Sequence, residues 1–126
     1  MRQRLFSLLL FVSLNAMAAT PAELLAGYTA QAGQTANALR GEAFFKASHG
    51  QEWQCTSCHT NTPRASGRHA STDKVIEPLA PISNPKRFTD SAKTEKWFRR
   101  NCKDVLAREC TAIEKADVLA WLLTLR

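Results

Sequence analysis

After Met17 the chain contains no methionine, because Met1 and Met17 are the only two. Any form trimmed at its amino end therefore offers a metal no methionine thioether. Alternating β-branched stretches are also scarce, which argues against a sheet protein. The one apolar run, Leu5 to Leu14, falls well short of the roughly 20 residues that span a bilayer. Neither an internal repeat nor a low-complexity segment is visible, and no nucleophile–base constellation stands out. Cysteine is limited to four residues, and only one pair is closely spaced. Cys102 and Cys110 are eight apart, and His49 and His69 have no evident pairing with them. The second half of a four-ligand zinc site is thus missing.

What is present begins with an export pattern. Arg2 and Arg4 precede the apolar run, and Ala16-Met17-Ala18 follows it with small residues flanking Met17. This reads as a secretory signal peptide over residues 1–18, cut after Ala18, and places the mature protein in the periplasm. The remaining chain, residues 19–126, is the length of one compact domain. Without Arg2 and Arg4 it has 15 basic residues against 11 acidic ones, a charge of +4. So mild an excess gives no case for nucleic-acid binding; it could steer an acidic partner, although a solvated surface explains it equally.

Cys55-Thr56-Ser57-Cys58-His59 carries the chemistry. Two thiols three apart with a histidine directly after the second match the spacing that attaches haem c. Each sulfur can add to a haem vinyl group, and the short link to His59 brings its imidazole to the iron as an axial ligand. A thioredoxin-like use of the pair would need a strand–helix setting, which the sequence does not signal. A plain Cys55–Cys58 disulfide leaves His59 unexplained.

With two cysteines used by haem, an exported chain leaves Cys102 and Cys110 to pair with each other; the alternative is two free buried thiols. Eight residues of straight helix would span about 12 Å, whereas bridged Cα atoms sit about 4.4–6.8 Å apart. A Cys102–Cys110 disulfide therefore requires a bend or break between them.

The rest of the chain reads as helices joined by irregular loops. Pro21-Ala22-Glu23 opens a short first helix. A second runs from Ala38 to about Ser48, with Leu39, Ala43 and Phe44 at helical spacing, Phe45 beside them and Gly50 as a stop. Five prolines and glycines between Thr60 and Pro85 (Pro63, Gly67, Pro78, Pro81, Pro85) predict a loop that wraps a prosthetic group. Thr89 or Asp90 caps a helix bearing Trp97 and Phe98. Thr111-Ala112-Ile113-Glu114 is a capping box that introduces a last helix, with Val118, Trp121, Leu122 and Leu125 on one face. Gly41 with Phe44 or Phe45 would let the second helix approach Trp121 and Leu122 closely.

If haem is attached at His59, the missing methionine leaves His49, His69, Asn101, a lysine, water or an open position for the second axial site. His49 and His69 lie ten residues to either side of His59, and either could complete a bis-histidine iron. Asn101 follows the aromatic helix and directly precedes Cys102. From the residues alone, a helix C-cap or turn is its simpler role.

Cys55-Thr-Ser-Cys58-His59, Pro78-Leu-Ala-Pro81, Arg87-Phe-Thr-Asp-Ser-Ala92, Glu95-Lys-Trp97, Arg100-Asn-Cys102, Cys110-Thr111 and Glu114-Lys-Ala-Asp117 together resemble the sphaeroides haem protein family. These are small, exported, oxygen-binding cytochromes c, and the similarity runs from about Pro21 to Leu125. It implies an all-α, class I cytochrome c-like domain around one covalently attached haem c. It further implies Cys55 and Cys58 as thioether sites, His59 as proximal ligand, Asn101 as distal ligand, and a Cys102–Cys110 disulfide. A diatomic ligand, and a dihaem cytochrome c or a membrane cytochrome b as electron donor, are implied partners. The resemblance points to ligand binding and electron transfer more than to enzymatic turnover.

Overall fold

The computed structural model describes residues 18–126; apart from Ala18, the leader expected over residues 1–18 lies outside the described residues. In chain order the elements are α1 (Pro21–Ala32), α2 (Ala38–Lys46), α3 (Cys55–His59), β1 (Gly67–Arg68), β2 (Val75–Ile76), α4 (Ser91–Leu106) and α5 (Ala112–Thr124). The class is all-α, as expected. A short antiparallel ladder, pairing Gly67 with Ile76 and Arg68 with Val75, lies inside the segment read as loop. None of the helices among the described residues is long and apolar enough to cross a membrane.

The helices begin where their caps dictate. Thr20 and Glu23 form a capping box ahead of Pro21, and α1 runs twelve residues to a left-handed Gly33, longer than the short helix expected. Asp90, rather than Thr89, caps α4 by accepting from the Lys93 N–H at 2.9 Å. Thr111 and Glu114 form the second capping box. The Glu114 carboxylate also accepts from the Arg108 guanidinium at 2.9 and 2.8 Å.

Three details depart from expectation. In α2 the fully buried positions are Gly41 and Phe45, whereas Leu39 is 77% exposed. Gly41 and Phe45, at i, i+4 spacing, form the inward face that the expected close approach requires, with Phe44 packed partly against the same cluster and Leu39 outside it. Also, α2 stops at Lys46, four residues before Gly50, where His49 Nε2 lies 2.8 Å from the Phe44 carbonyl oxygen. As a carbonyl only accepts, that ring nitrogen is the donor and satisfies an orphan group at the helix end. Finally, α4 does not end before Asn101; it continues to Leu106 and closes at Ala107 in a left-handed conformation. Nothing between Arg100 and Leu106 breaks a helix, so the C-cap role for Asn101 is excluded.

Turning at Ala107 supplies the bend that the cysteine spacing demanded. Cys102 and Cys110 are joined, with their Cα atoms 5.6 Å apart. The bridge ties the end of α4 to the start of α5.

At the centre, α5 packs against both α1 and α2. Phe45, Val118, Trp121 and Leu122 form one buried cluster, with the Phe45 and Trp121 rings 5.0 Å apart. Tyr28, Ala116 and Leu119 form another on the α1 side. Contact between α2 and α5 is backbone to backbone: a Cβ built on Gly41 would lie 1.9 Å from the Asp117 carbonyl oxygen. Beside this crossing, the buried Asp117 carboxylate accepts from Asn37 N–H at 2.7 Å, from Arg40 Nη2 at 2.9 Å and from Arg40 Nε. Asp117 thus holds the amino end of α2 from within α5.

Helix α4 is fastened differently. Tyr28 from α1 donates its hydroxyl hydrogen bond to Glu95, and Lys115 from α5 donates to the same carboxylate at 2.9 Å. The Lys115 ammonium also lies over the Tyr28 and Phe98 rings, at 5.4 and 5.9 Å. Burial acts to raise the Glu95 pKa, but the Tyr28 and Lys115 hydrogen bonds with the Lys115 and Arg99 charges outweigh it, leaving it below 4.5. Tyr28 moves the opposite way, raised by burial and then by Glu95.

Replacing Gly41 by Ala should destabilise the protein by about 3 kcal/mol, since backbone must yield to the new methyl group. Gly27→Ala is the control, because nothing lies within 4 Å of its Cβ position, and it should stabilise by about 0.5–1 kcal/mol. Thermal melting of the two haem-loaded variants checks both. A depressed Glu95 pKa contributes stability that is complete above its unfolded value and lost as pH falls through its folded one. Glu95→Gln should therefore be destabilised relative to the parent above pH 4.5, with the gap closing on acidification.

Candidate functional site

The attachment motif occupies a single helical turn, and its two variable residues explain why. Ser57 Oγ accepts from the Gln54 N–H at 3.0 Å, and the Gln54 amide donates to Thr56 Oγ1 at 2.8 Å. These bonds start α3 without a conventional N-cap and fix Cys55, Cys58 and His59 on one short turn. Thr60 then leaves the helix at φ 64°, ψ 170°, a backbone region nearly reserved for glycine. Such strain at the residue after His59 marks a site whose surroundings hold the backbone in place.

The β1–β2 hairpin presses on this turn. A Cβ on Gly67 would fall 1.8 Å from the Cys58 carbonyl oxygen and 3.1 Å from the His59 Cα. Next along the hairpin, Ala70 N–H lies 3.4 Å from Cys58 Sγ. On the other flank, the ring of Phe45 lies 6.2 Å from that of His59.

Cys55, Cys58 and His59 line one wall of a cleft of about 1530 Å3. Small-molecule pockets usually enclose about 300–1000 Å3, so there is room here for a tetrapyrrole. Helix α4 contributes Thr94, Trp97, Phe98, Asn101, Cys102 and Val105, together with charged residues such as Arg100 and Lys103. Val118 and Leu122 of α5 form the floor with Phe44 and Phe45 of α2. A second cavity, about 320 Å3 between α1 and α4, includes none of the motif residues.

Asn101 therefore shares the cleft with His59, and its amide makes no hydrogen bond to the described residues. His49 does not line the cleft; its Nε2 is committed to Phe44 and its ring stacks 4.5 Å from the Phe44 ring. His69 does line it. Its Nδ1 accepts from the Ser71 and Thr72 N–H groups, both at 3.3 Å, and its ring stands edge-on to Trp53 at 6.0 Å. It belongs to the hairpin packed on α3, the wall that carries His59.

The electrostatics suit a metalloporphyrin and not a dithiol oxidoreductase. Burial, with the Arg87 charge adding to it, pushes the His59 imidazole down to about 4. At neutral pH the ring is uncharged and keeps a lone pair for a metal. Burial pushes the Cys55 thiol up to about 11, the reverse of the low-pKa cysteine that thiol–disulfide chemistry requires. The cleft also requires an apolar occupant. Val75 and Trp97, 61% and 44% exposed, are two of the most exposed large apolar residues among those described, and both line it. A planar macrocycle would cover them, and with the paired thiols and neutral imidazole the residues present fit haem c.

Helices around one such cleft, with CxxCH on its wall, define a monohaem c-type cytochrome. The cytochrome c-type protein SHP of Cereibacter sphaeroides is 49% identical over 107 residues, covering 82% of each chain. The structure of oxidized SHP, an oxygen binding cytochrome c, superposes with a TM-score of 0.81 at 47% identity, covering 86% of this chain and 99% of that one. Cytochrome c'' of Methylophilus methylotrophus, in a solution structure addressing haem-ligand detachment, gives 0.73 at 36% identity over 83% of this chain and 93% of the other. Residues 31–122 match DUF1924, a domain of unknown function. The chain belongs to this family and, with SHP, to the sphaeroides haem proteins, and its cofactor is covalently attached haem c.

Sequence reasoning missed Gly67 as the residue that lets the hairpin reach α3; a lone glycine in a loop carries no such signal. It also missed Arg87, whose place in the cleft depends on the tertiary fold. Gly67→Ala should displace the hairpin from Cys58 and His59 and reduce the yield of covalently loaded protein several-fold. Intact mass and the pyridine haemochrome of purified material measure that fraction.

Proposed function

We propose that this protein is an exported, periplasmic monohaem cytochrome that accepts electrons and binds a diatomic ligand when a weak axial ligand is released on reduction. Residues 1–18 serve as the leader, and residues 19–126 form a single haem domain. Cys55 and Cys58 are the thioether sites, His59 is the fixed axial ligand, and Asn101 is the labile one. The observation that supports this reading is that Asn101 of α4 and His59 of α3 line one cleft, in a chain with no methionine after Met17.

The haem supplies a redox-active iron whose sixth position can take O2, NO or CO. The Asn101 amide oxygen is a neutral, hard, weak donor, which suits ferric iron and holds ferrous iron poorly. Release needs only side-chain rotation, because the backbone of α4 is held by the Asp90 cap, by Glu95 with Tyr28 and Lys115, and by the adjoining Cys102–Cys110 bridge. Once free, the amide N–H group can donate a hydrogen bond to a ligand in the cleft. Two relatives support the reading in its parts: SHP is an oxygen binding cytochrome c, and cytochrome c'' is described in terms of haem-ligand detachment.

Electrons would come from a dihaem cytochrome c or a membrane cytochrome b. The second reading is an outer-sphere electron carrier with a histidine as sixth ligand. His69 is the better histidine for it, since it lines the cleft and His49 does not; its placement on the α3 side counts against it.

Asn101→Ala should change the ferric spectrum by removing the amide-oxygen ligand from the iron while ferrous CO binding persists. Losing one hydrogen bond of about 1 kcal/mol should speed O2 release about five-fold. An unchanged ferric spectrum removes Asn101 from the iron, and a six-coordinate ferrous form indifferent to CO selects the electron carrier.

A further inference from the structure

Arg87 lines the haem cleft and is half-buried. Its guanidinium is held rigidly: Nε donates to the Pro78 carbonyl at 2.9 Å, and Nη2 donates to the Glu77 carbonyl at 2.7 Å. The Asn84 amide reaches the same Pro78 oxygen at 3.4 Å. All these acceptors are neutral. No carboxylate of the described residues lies within 4.0 Å of this guanidinium, although Arg40, Arg68, Arg99 and Arg108 each have one.

A cation drawn out of water normally finds a counter-ion, because solvation otherwise favours leaving it exposed. Arg87 has five N–H donors and spends two on backbone carbonyls. The backbone beside it is forced as well. Phe88 sits at φ 58°, unusual for a bulky residue and costing about 1–3 kcal/mol. That turn places both Arg87 and Phe88 in the cleft wall. The other cations on the cleft, such as Lys86, Lys93 and Arg100, are exposed and have water for a partner.

The group that fills this cleft has two carboxylates of its own. We infer that Arg87 pairs with a haem propionate carboxylate, fastening that edge of the haem to the Glu77–Pro78 loop and raising the reduction potential of the iron. It acts as a positioning residue with an electrostatic effect. The anion completes a half-buried cation site that no carboxylate bonds directly, the Glu77 charge acting only from beyond 4.0 Å, and the two bonded carbonyls hold the fork in place for bidentate recognition. The inference rests on haem c alone and not on Asn101 as ligand.

The test uses haem-loaded Arg87→Gln and Arg87→Lys, reading the one-electron midpoint potential and the hyperfine-shifted propionate methylene resonances of the ferric protein. In Arg87→Gln the equilibrium at a fixed poise should move about tenfold toward ferric, or 59 mV for one electron, with the propionate resonances displaced. Arg87→Lys keeps the charge but loses the fork, so it should displace the resonances while recovering most of the potential. If Arg87→Gln does not accumulate with haem, Arg87→Lys is decisive through its propionate resonances alone. Unchanged propionate resonances in whichever variant accumulates would overturn the pairing and leave Arg87 as a brace for the loop. Failure of Asn101 as ligand would show in the ferric spectrum of Asn101→Ala and leave both Arg87 readouts as stated.

Discussion

The missing side chain at Gly41 lets the backbone of α2 rest directly on that of α5 at Asp117 and Val118. A methyl group there would overlap a carbonyl oxygen, so the crossing exists only with glycine. Much of the remaining structure follows from it. Phe45, one turn beyond Gly41, reaches Trp121 and Leu122, and Asp117 reaches back to the N–H of Asn37 and to Arg40. With α2 fixed, the loop after Lys46 delivers α3 to its place beside Phe45. One close approach thus orients the wall that bears the attachment motif.

The facing wall answers to a separate set of restraints. Helix α4 lies across the cleft, and what secures it is side-chain chemistry at its two ends: Glu95 with Tyr28 and Lys115 near the start, and the disulfide near the finish. Asn101 lies between these anchors, one residue before the bridge. With both ends of the helix held, the Asn101 side chain can rotate without either anchor breaking. The Glu114-Lys115-Ala116-Asp117 segment, which helped identify the family, serves this framework throughout. Glu114 caps α5, Lys115 holds α4, Ala116 is fully buried and Asp117 holds α2.

The elements legible in the sequence were those set by neighbours along the chain. The proline-led start of α1, the capping box at Thr111, the cap at Asp90 and the CxxCH turn are all local in origin. The crossing of α2 at Gly41 and Phe45 is legible as a glycine beside aromatics, whereas the spacing that marks Leu39 as helical does not show that it stays exposed. Burial there is set by α5, distant in sequence. Asn101 was read as lying beyond the aromatic helix because asparagine favours helix ends; α4 instead continues through it, with the left-handed turn falling at Ala107.

By itself the sequence determined the chemistry: two thiols and an imidazole at the spacing of a vinyl-linked haem, no methionine after Met17, and two further cysteines needing a bend between them. These are covalent and short-range constraints, and composition with spacing states them completely. Tertiary structure alone decided which groups share the cleft. It left His49 outside the cleft, set His69 in the hairpin beside Cys58, brought Asn101 into the same lining as His59 and left Arg87 half-buried with no carboxylate within 4.0 Å. Those relations join residues tens of positions apart, and only the packing of α2, α4 and α5 around one cleft brings them together.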